Sequence, residues 1–121
     1  MILLDTNAVV WLLANHARAK PLLKGGQELV ASPAALLEVG FLTELGKIRL
    51  SVTLSDLRED SRFRVDDPSG AAWFAKAEEL AFTRDPFDRL IVANALLRKA
   101  KLATGDQRII DYLGPARVVA L

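Results

Sequence analysis

The feature that most constrains this chain is a set of very short apolar runs, each followed at once by a helix start. Ile2-Leu3-Leu4 ends at Asp5-Thr6-Asn7, Glu28 to Ala31 ends at Ser32-Pro33, and Leu102 to Thr104 ends at Gly105-Asp106. Runs this short and this continuously apolar are buried on both faces when they are strands. That is the pattern of a parallel sheet covered by crossover helices. Val118 to Leu121 reads as a last strand and Arg62 to Val65 as a short one, so a central, mostly parallel sheet of four or five strands is expected. The implied architecture is a three-layer α/β/α sandwich.

The helices have their own punctuation. One is expected from about Ala8 to Ala14, and a second from about Ala17 to Leu23, closed by Gly25-Gly26. Ser32 caps a helix with Pro33 in its first turn, running to about Leu45 before Gly46. A helix starts near Ser55. Asp67-Pro68-Ser69 opens another over Gly70 to Ala81, with Trp73, Ala77 and Leu80 on one face. Asp85-Pro86 opens the strongest, Pro86 to Lys99, where Phe87, Leu90, Ile91 and Asn94 follow helical spacing and Arg98 and Lys99 suit the carbonyl end of the helix dipole. Gln107 to Leu113 is a last short helix. With 121 residues, 51% hydrophobic and 26% charged, the chain is expected to form one globular domain over residues 1–121.

Several chemistries are closed off by composition. There is no cysteine, so thiol nucleophiles, disulfides and thiolate zinc sites are excluded, and a reducing cytoplasm suits the usage. The apolar N-terminal stretch lacks a basic leader and carries Asp5, which argues against a secretory signal. Nor does any apolar run approach the ~20 residues of a membrane span. With 16 basic and 15 acidic side chains, a polyanion would have to be met by a local patch. The one histidine, His16, is expected at the surface. Trp11 and Trp73 are expected in the core or at a dimer interface. Gly25-Gly26 lacks the pattern of a phosphate loop.

The acids carry the functional argument. In an open parallel sheet, ligands bind beyond the carboxyl ends of the strands. Asp5 and Asp106 each follow a strand end, Asp85 and Asp88 open the long helix, and Glu38 lies early in the helix after the second strand. Each also has a structural reading: Asp85 as an N-cap, Asp88 as its capping-box acid, Asp5 and Asp106 as caps assisted by Asn7 or Thr104. Glu38 differs, because it stands in the apolar stretch Leu36-Leu37-Glu38-Val39-Gly40-Phe41-Leu42 with no basic neighbour in sequence. An ionised group there needs a metal ion or a distant arginine. Carboxylates sharing one crevice repel and raise one another's pKa. A divalent cation relieves that repulsion, and all-oxygen ligation selects Mg²⁺ or Mn²⁺ over zinc. The residues themselves thus reach metal-assisted phosphodiester chemistry, by one ion or by two ~4 Å apart.

Four segments, Leu4-Asp5-Thr6-Asn7, Ser32 to Val39, Arg84-Asp85-Pro86-Phe87-Asp88-Arg89-Leu90-Ile91 and Thr104-Gly105-Asp106, stand in the order and spacing of a known family. The chain resembles PIN-domain ribonucleases, and in its format the VapC toxins of type II toxin–antitoxin systems. The resemblance implies a Mg²⁺-dependent endoribonuclease of the cytoplasm, often a homodimer and inhibited by a VapB-type antitoxin. It implies that Asp5, Glu38, Asp88 and Asp106 form the catalytic, metal-binding quartet. Asp85 is a further ligand in competition with its cap role, and Thr6 and Thr104 are hydroxyls that orient carboxylates or waters. Gln107 and Arg108 stand where many members carry another acid, a departure that bears on a second metal position. Arg84, Arg89, Arg108 and also Lys101 are expected near the crevice, either meeting an RNA backbone or serving as solvated surface charge. The competing readings are another Mg²⁺-dependent phosphoryl hydrolase acting on DNA or a phosphoester, and a non-catalytic RNA-binding or receiver-like module. A receiver would pair two acids near its first strand with a late lysine, whereas Asp5 stands single.

Overall fold

The structure, a computed structural model, describes residues 1–121. Five short strands form one sheet in which every pairing is parallel: β1 (Ile2–Leu4), β2 (Leu29–Ala31), β3 (Arg64–Val65), β4 (Lys101–Thr104) and β5 (Val118–Ala120), in the order β3-β2-β1-β4-β5. The expected sandwich is present. Leu3, Leu4, Val30, Ala31, Leu102 and Ala103 have essentially no exposed surface, which is why these runs are apolar throughout and do not alternate. Burying a leucine side chain of this kind contributes roughly 2 kcal/mol.

Six α-helices cover the faces: α1 (Thr6–Leu13), α2 (Pro33–Glu44), α3 (Leu54–Arg58), α4 (Gly70–Glu78), α5 (Pro86–Arg98) and α6 (Gln107–Leu113). The first begins earlier than expected, at Thr6, because the Asp5 carboxylate accepts from the Ala8 amide at 2.8 Å and turns strand directly into helix. The segment Ala17–Lys24 is 3₁₀ and not α. Pro21 inside it has no N–H to give a longer-range ladder, and Gly25 ends it at φ 74°. The expected strand over Arg62 to Val65 shrinks to two residues, and the helix after Ser69 stops at Glu78. Trp73, Ala77 and Leu80 are buried as their spacing predicts, and the Trp73 indole N–H donates to the Leu90 carbonyl at 2.7 Å, fastening α4 to α5.

The strand order sets the position of the site. From β1 the chain moves outward through β2 and β3, then returns across to β4 and β5, so the direction of winding reverses between β1 and β4. At such a switch point the flanking helices depart to opposite sides and leave a crevice at the carboxyl ends of the two strands. Asp5 and Asp106 are the residues that emerge there.

Candidate active site

Five carboxylates, those of Asp5, Glu38, Asp85, Asp88 and Asp106, line one concavity of about 260 Å³ together with Thr6, Asn7 and Leu42. No lysine, arginine or histidine shares the lining. Every acid singled out in the sequence is thus brought to one place, from four stretches that are distant along the chain. Asn7 and Leu42 are the lining residues that sequence reasoning had not put there. Leu42 stands one helical turn beyond Glu38 on α2, a spacing that carried the signal.

The capping and site readings of the acids turn out not to compete. Asp5 caps α1, Asp106 caps α6 by accepting from the Arg108 amide at 2.9 Å, and Asp85 caps α5 by accepting from the amides of Phe87 and Asp88 at 2.8 and 3.2 Å. A cap residue lies where the strand or loop ends and the helix dipole is positive, so three helix starts facing one crevice place three carboxylates there. Asp88 departs from its capping-box reading. The Asp85 amide that a box would satisfy donates instead to the Thr83 hydroxyl at 3.2 Å, and the forces acting on the Asp88 carboxyl are burial and neighbouring acids alone.

Hydroxyls hold the remaining members. The Thr6 hydroxyl donates to Glu38 Oε1, and this hydrogen bond, not an arginine, is what the buried side of Glu38 receives. The Thr104 hydroxyl accepts from the Asp106 amide at 3.0 Å and also hydrogen-bonds toward Asp5. Burial pushes the Asp5 carboxyl up to about 6, against the pull of Thr104 and the Ala8 amide, and Asp106 and Glu38 add to the rise. Asp88 is pushed up to about 7, first by burial, then by Asp85, Glu38, Asp106 and Asp5. Glu38 is raised too, by burial and by Asp85. Asp88 thus feels all four of the other acids.

The donor set suits a hard divalent cation: oxygen ligands only, an excess of negative charge, and no cation of the protein to neutralise it. As placed, no three of the carboxylates form a group able to hold one ion, so binding one would draw them together. Glu38 and Asp88, reaching in from helix turns and half-buried, have the side-chain freedom to do so.

One close approach shapes the rim. A β-carbon on Gly105 would stand 2.6 Å from Arg18 Nη2 and 2.8 Å from Trp11 Cη2, so only glycine fits between β4 and Asp106. Trp11 is partly buried there, with the Arg18 guanidinium 4.1 Å above its ring and His16 stacked on it. His16 is exposed, and its Nδ1 accepts from the Arg18 amide. Of the expected basic residues, Arg84 and Arg108 flank acids of the crevice and are exposed, while Arg89 gives its Nε to the Thr83 carbonyl at 2.7 Å. Lys101 is a correction. It opens β4, so the strand's length of roughly 10 Å carries it to the opposite edge of the sheet from Asp106.

The family model of the PIN domain matches residues 2–113. The chain belongs to the PIN-domain family. It is 31% identical to Ribonuclease VapC22 of Mycobacterium tuberculosis over 97% of its own length and 95% of the relative's, which groups it with the VapC members. Its fold is similar to a chain of a toxin–antitoxin complex from Klebsiella pneumoniae (TM-score 0.71, 22% identity, 99% of this chain and 97% of that one). It is also similar to Mycobacterium tuberculosis VapC20, described as a sarcin–ricin loop cleaving toxin (TM-score 0.68, 19% identity, 93% and 95% covered).

Proposed function

We propose that this chain is the toxin ribonuclease of a type II toxin–antitoxin pair, cutting RNA phosphodiester bonds with the help of a divalent cation, Mg²⁺ in the cell with Mn²⁺ able to replace it. The observation that carries the reading is the gathering of five carboxylates, without one cation, at the winding reversal of a PIN fold. Negative charge so concentrated around the buried Asp5 is costly unless the molecule uses it.

In this reading Asp5, Glu38, Asp88 and Asp106 are the ligand quartet, and Asp85, whose two amide bonds both end on Oδ1, offers Oδ2 as a further ligand. A cation bound among them supplies a water of lowered pKa and positive charge against a phosphoryl oxygen. Thr6 orients Glu38, and Thr104 orients Asp5 and the Asp106 backbone. Arg84 and Arg108 meet the phosphates on either side of the cut bond, and Arg89 stiffens the loop before α5. Gln107, where a further acid is common, is turned onto Asp111 at 2.7 Å, which favours a single cation. Residues 1–121 act as one unit, in the cytoplasm, as a homodimer. Leu37, Phe41 and Leu45 form an exposed stripe on α2 next to the crevice, and this apolar surface supports a VapB-type antitoxin that covers the site.

Purified protein incubated with total RNA should give discrete 5′ ends with Mg²⁺ and none with EDTA. Loading the site displaces the protons that Asp5 and Asp88 hold near pH 6 and pH 7, so cleavage should climb between about pH 5.5 and 7.5. Cleavage that persists in EDTA, or that falls on DNA and spares RNA, would defeat the assignment.

A further inference from the structure

Lys101 lines a second concavity. A cavity of about 550 Å³ opens at the amino edge of the sheet, where the end of α5, the start of β4 and the 3₁₀ turn Pro115–Arg117 meet. Ala95, Leu96 and Ala116 line its apolar floor, and Lys99, Lys101 and Arg117 stand exposed around it. No carboxylate lines it, and none of the three cations belongs to any of the protein's ion pairs.

Three exposed cations gathered around one cleft, with no carboxylate among its lining, are a local positive patch in a protein whose net charge is only +1. A second mark of use is Lys99 itself. It takes the left-handed backbone conformation, φ 52° and ψ 37°, at the position after a helix that glycine usually fills. A side chain is kept there despite the steric penalty, as happens where the side chain has work to do. The volume falls in the ~300–1,000 Å³ range of small-ligand sites. Cations over an apolar floor select a phosphate joined to a flat, weakly polar body, which is a nucleotide.

We infer that this cleft binds a nucleotide of the RNA strand at a distance from the scissile bond. The inference rests on the ribonuclease reading. Along α5, Lys99 stands 11 residues beyond Asp88, about 17 Å of helix. At about 3.4 Å of rise per nucleotide, a stacked RNA strand that touches both ends must extend some five nucleotides beyond the cut. Short fragments would reach the crevice alone. The cleft therefore selects longer RNA and supplies the attraction that the acidic crevice lacks.

The test compares the full-length protein with its Lys99→Gln/Lys101→Gln/Arg117→Gln variant. In EDTA, where RNA is not cut, anisotropy with a single strand of about 20 nucleotides should show binding at least ~10-fold weaker in the variant. The slope of log affinity against log salt should shrink by about 2, the share of three phosphate contacts on a single strand. With Mg²⁺, the long strand should lose activity through KM with kcat kept, while a trinucleotide is cut as by the parent. An unchanged salt slope, or an equal loss on both substrates, overturns the inference. So does 5′-AMP that fills the cleft equally well beside saturating long RNA, because the ligand is then a free nucleotide. If the parent cuts no RNA yet the variant still loses long-strand binding, the cleft stands and the nuclease reading falls. If the parent cuts RNA and the variant matches it, the reverse holds.

Discussion

Two clusters, each built around one buried acid, sit at the carboxyl edge of the same sheet and follow opposite principles. Asp66, the residue after β3, is only 4% exposed and is fully answered. It accepts from Asn94 Nδ2 and from Arg98 Nε, both at 2.8 Å, with Arg64 Nη1 3.7 Å away; burial alone would raise its carboxyl, but the hydrogen bonds from Arg98 and Asn94 outweigh it and hold the group below the usual range. Asp5 is nearly as buried, at 6%, yet its neighbours are other acids, and it and Asp88 are pushed up to about 6 and about 7. One cluster closes its own charge balance and joins α5 to the sheet edge. The other leaves the balance open. A buried carboxylate with its arginine is architecture, and one without is an invitation to a ligand.

The sharpest way to break this contrast is to neutralise one acid of each kind. Asp88→Asn should reduce Mg²⁺-dependent RNA cleavage by about 10³-fold or more, about 4 kcal/mol of transition-state stabilisation, with the fold intact by circular dichroism. Retention of a tenth of the activity would remove Asp88 from the site. Arg98→Met should do the converse. It should lower stability by about 2 kcal/mol in urea titration, because Asp66 loses its strongest donor, and leave cleavage per folded molecule near the parent's.

Acidity should separate the two clusters further. Asp66 is depressed, so its contribution is present above the unfolded value near 4 and lost as pH falls through its folded value. Asp5 and Asp88 are raised, so the stability they give is full below about pH 4 and disappears as pH climbs through 6 and 7. Metal-free parent protein should therefore lose roughly 2 kcal/mol between pH 5 and 8, allowing for solvent access and coupling. Asp88→Asn should lose visibly less over that window and melt higher than the parent at pH 8. Equal curves for the two proteins would mean that the acids do not share a field. A smaller test separates the two roles of Asp5. Asparagine keeps an acceptor for the Ala8 amide and alanine does not, so Asp5→Ala should be about 1 kcal/mol less stable than Asp5→Asn while both are inactive.

The open cluster was legible in the sequence and the closed one was not, for a physical reason. Asp5 and Asp106 follow apolar runs that can only be strands, and Glu38 interrupts an apolar helix, so local pattern alone marks them. Asp66 draws its meaning from Asn94 and Arg98, 28 and 32 residues away, and no periodicity reports a pairing across that distance. Arg98 at the end of α5 reads as a dipole partner, yet its Nε goes to Asp66 and its Nη2 to the Asp67 carbonyl at 3.0 Å. Asn94 falls in the helix's apolar rhythm and is indeed completely buried, with Oδ1 left without a partner, a cost of about 1–3 kcal/mol that the spacing gives no hint of. The 3₁₀ form of residues 17–24 follows from Pro21, which the helix expected over Ala17 to Leu23 left out of account. Lys101, by contrast, lies away from the crevice because a residue that opens a strand stands a strand's length from the residues that follow it.

The register of the sheet also has a bearing on when the protein becomes active. Leu3 pairs with Leu102, so the strand made first waits for one made nearly a hundred residues later, and the gap beside it stays open until then. β1, β2 and β3 pair with one another within the first 65 residues, a stretch that holds Asp5 and Glu38 but not Asp85, Asp88 or Asp106. Closing so long a loop is entropically late, and the crevice has no second wall before β4 inserts. Until β4 inserts, Asp106 stands apart from Asp5, and the crevice that gathers the acids takes shape only with that last long-range pairing.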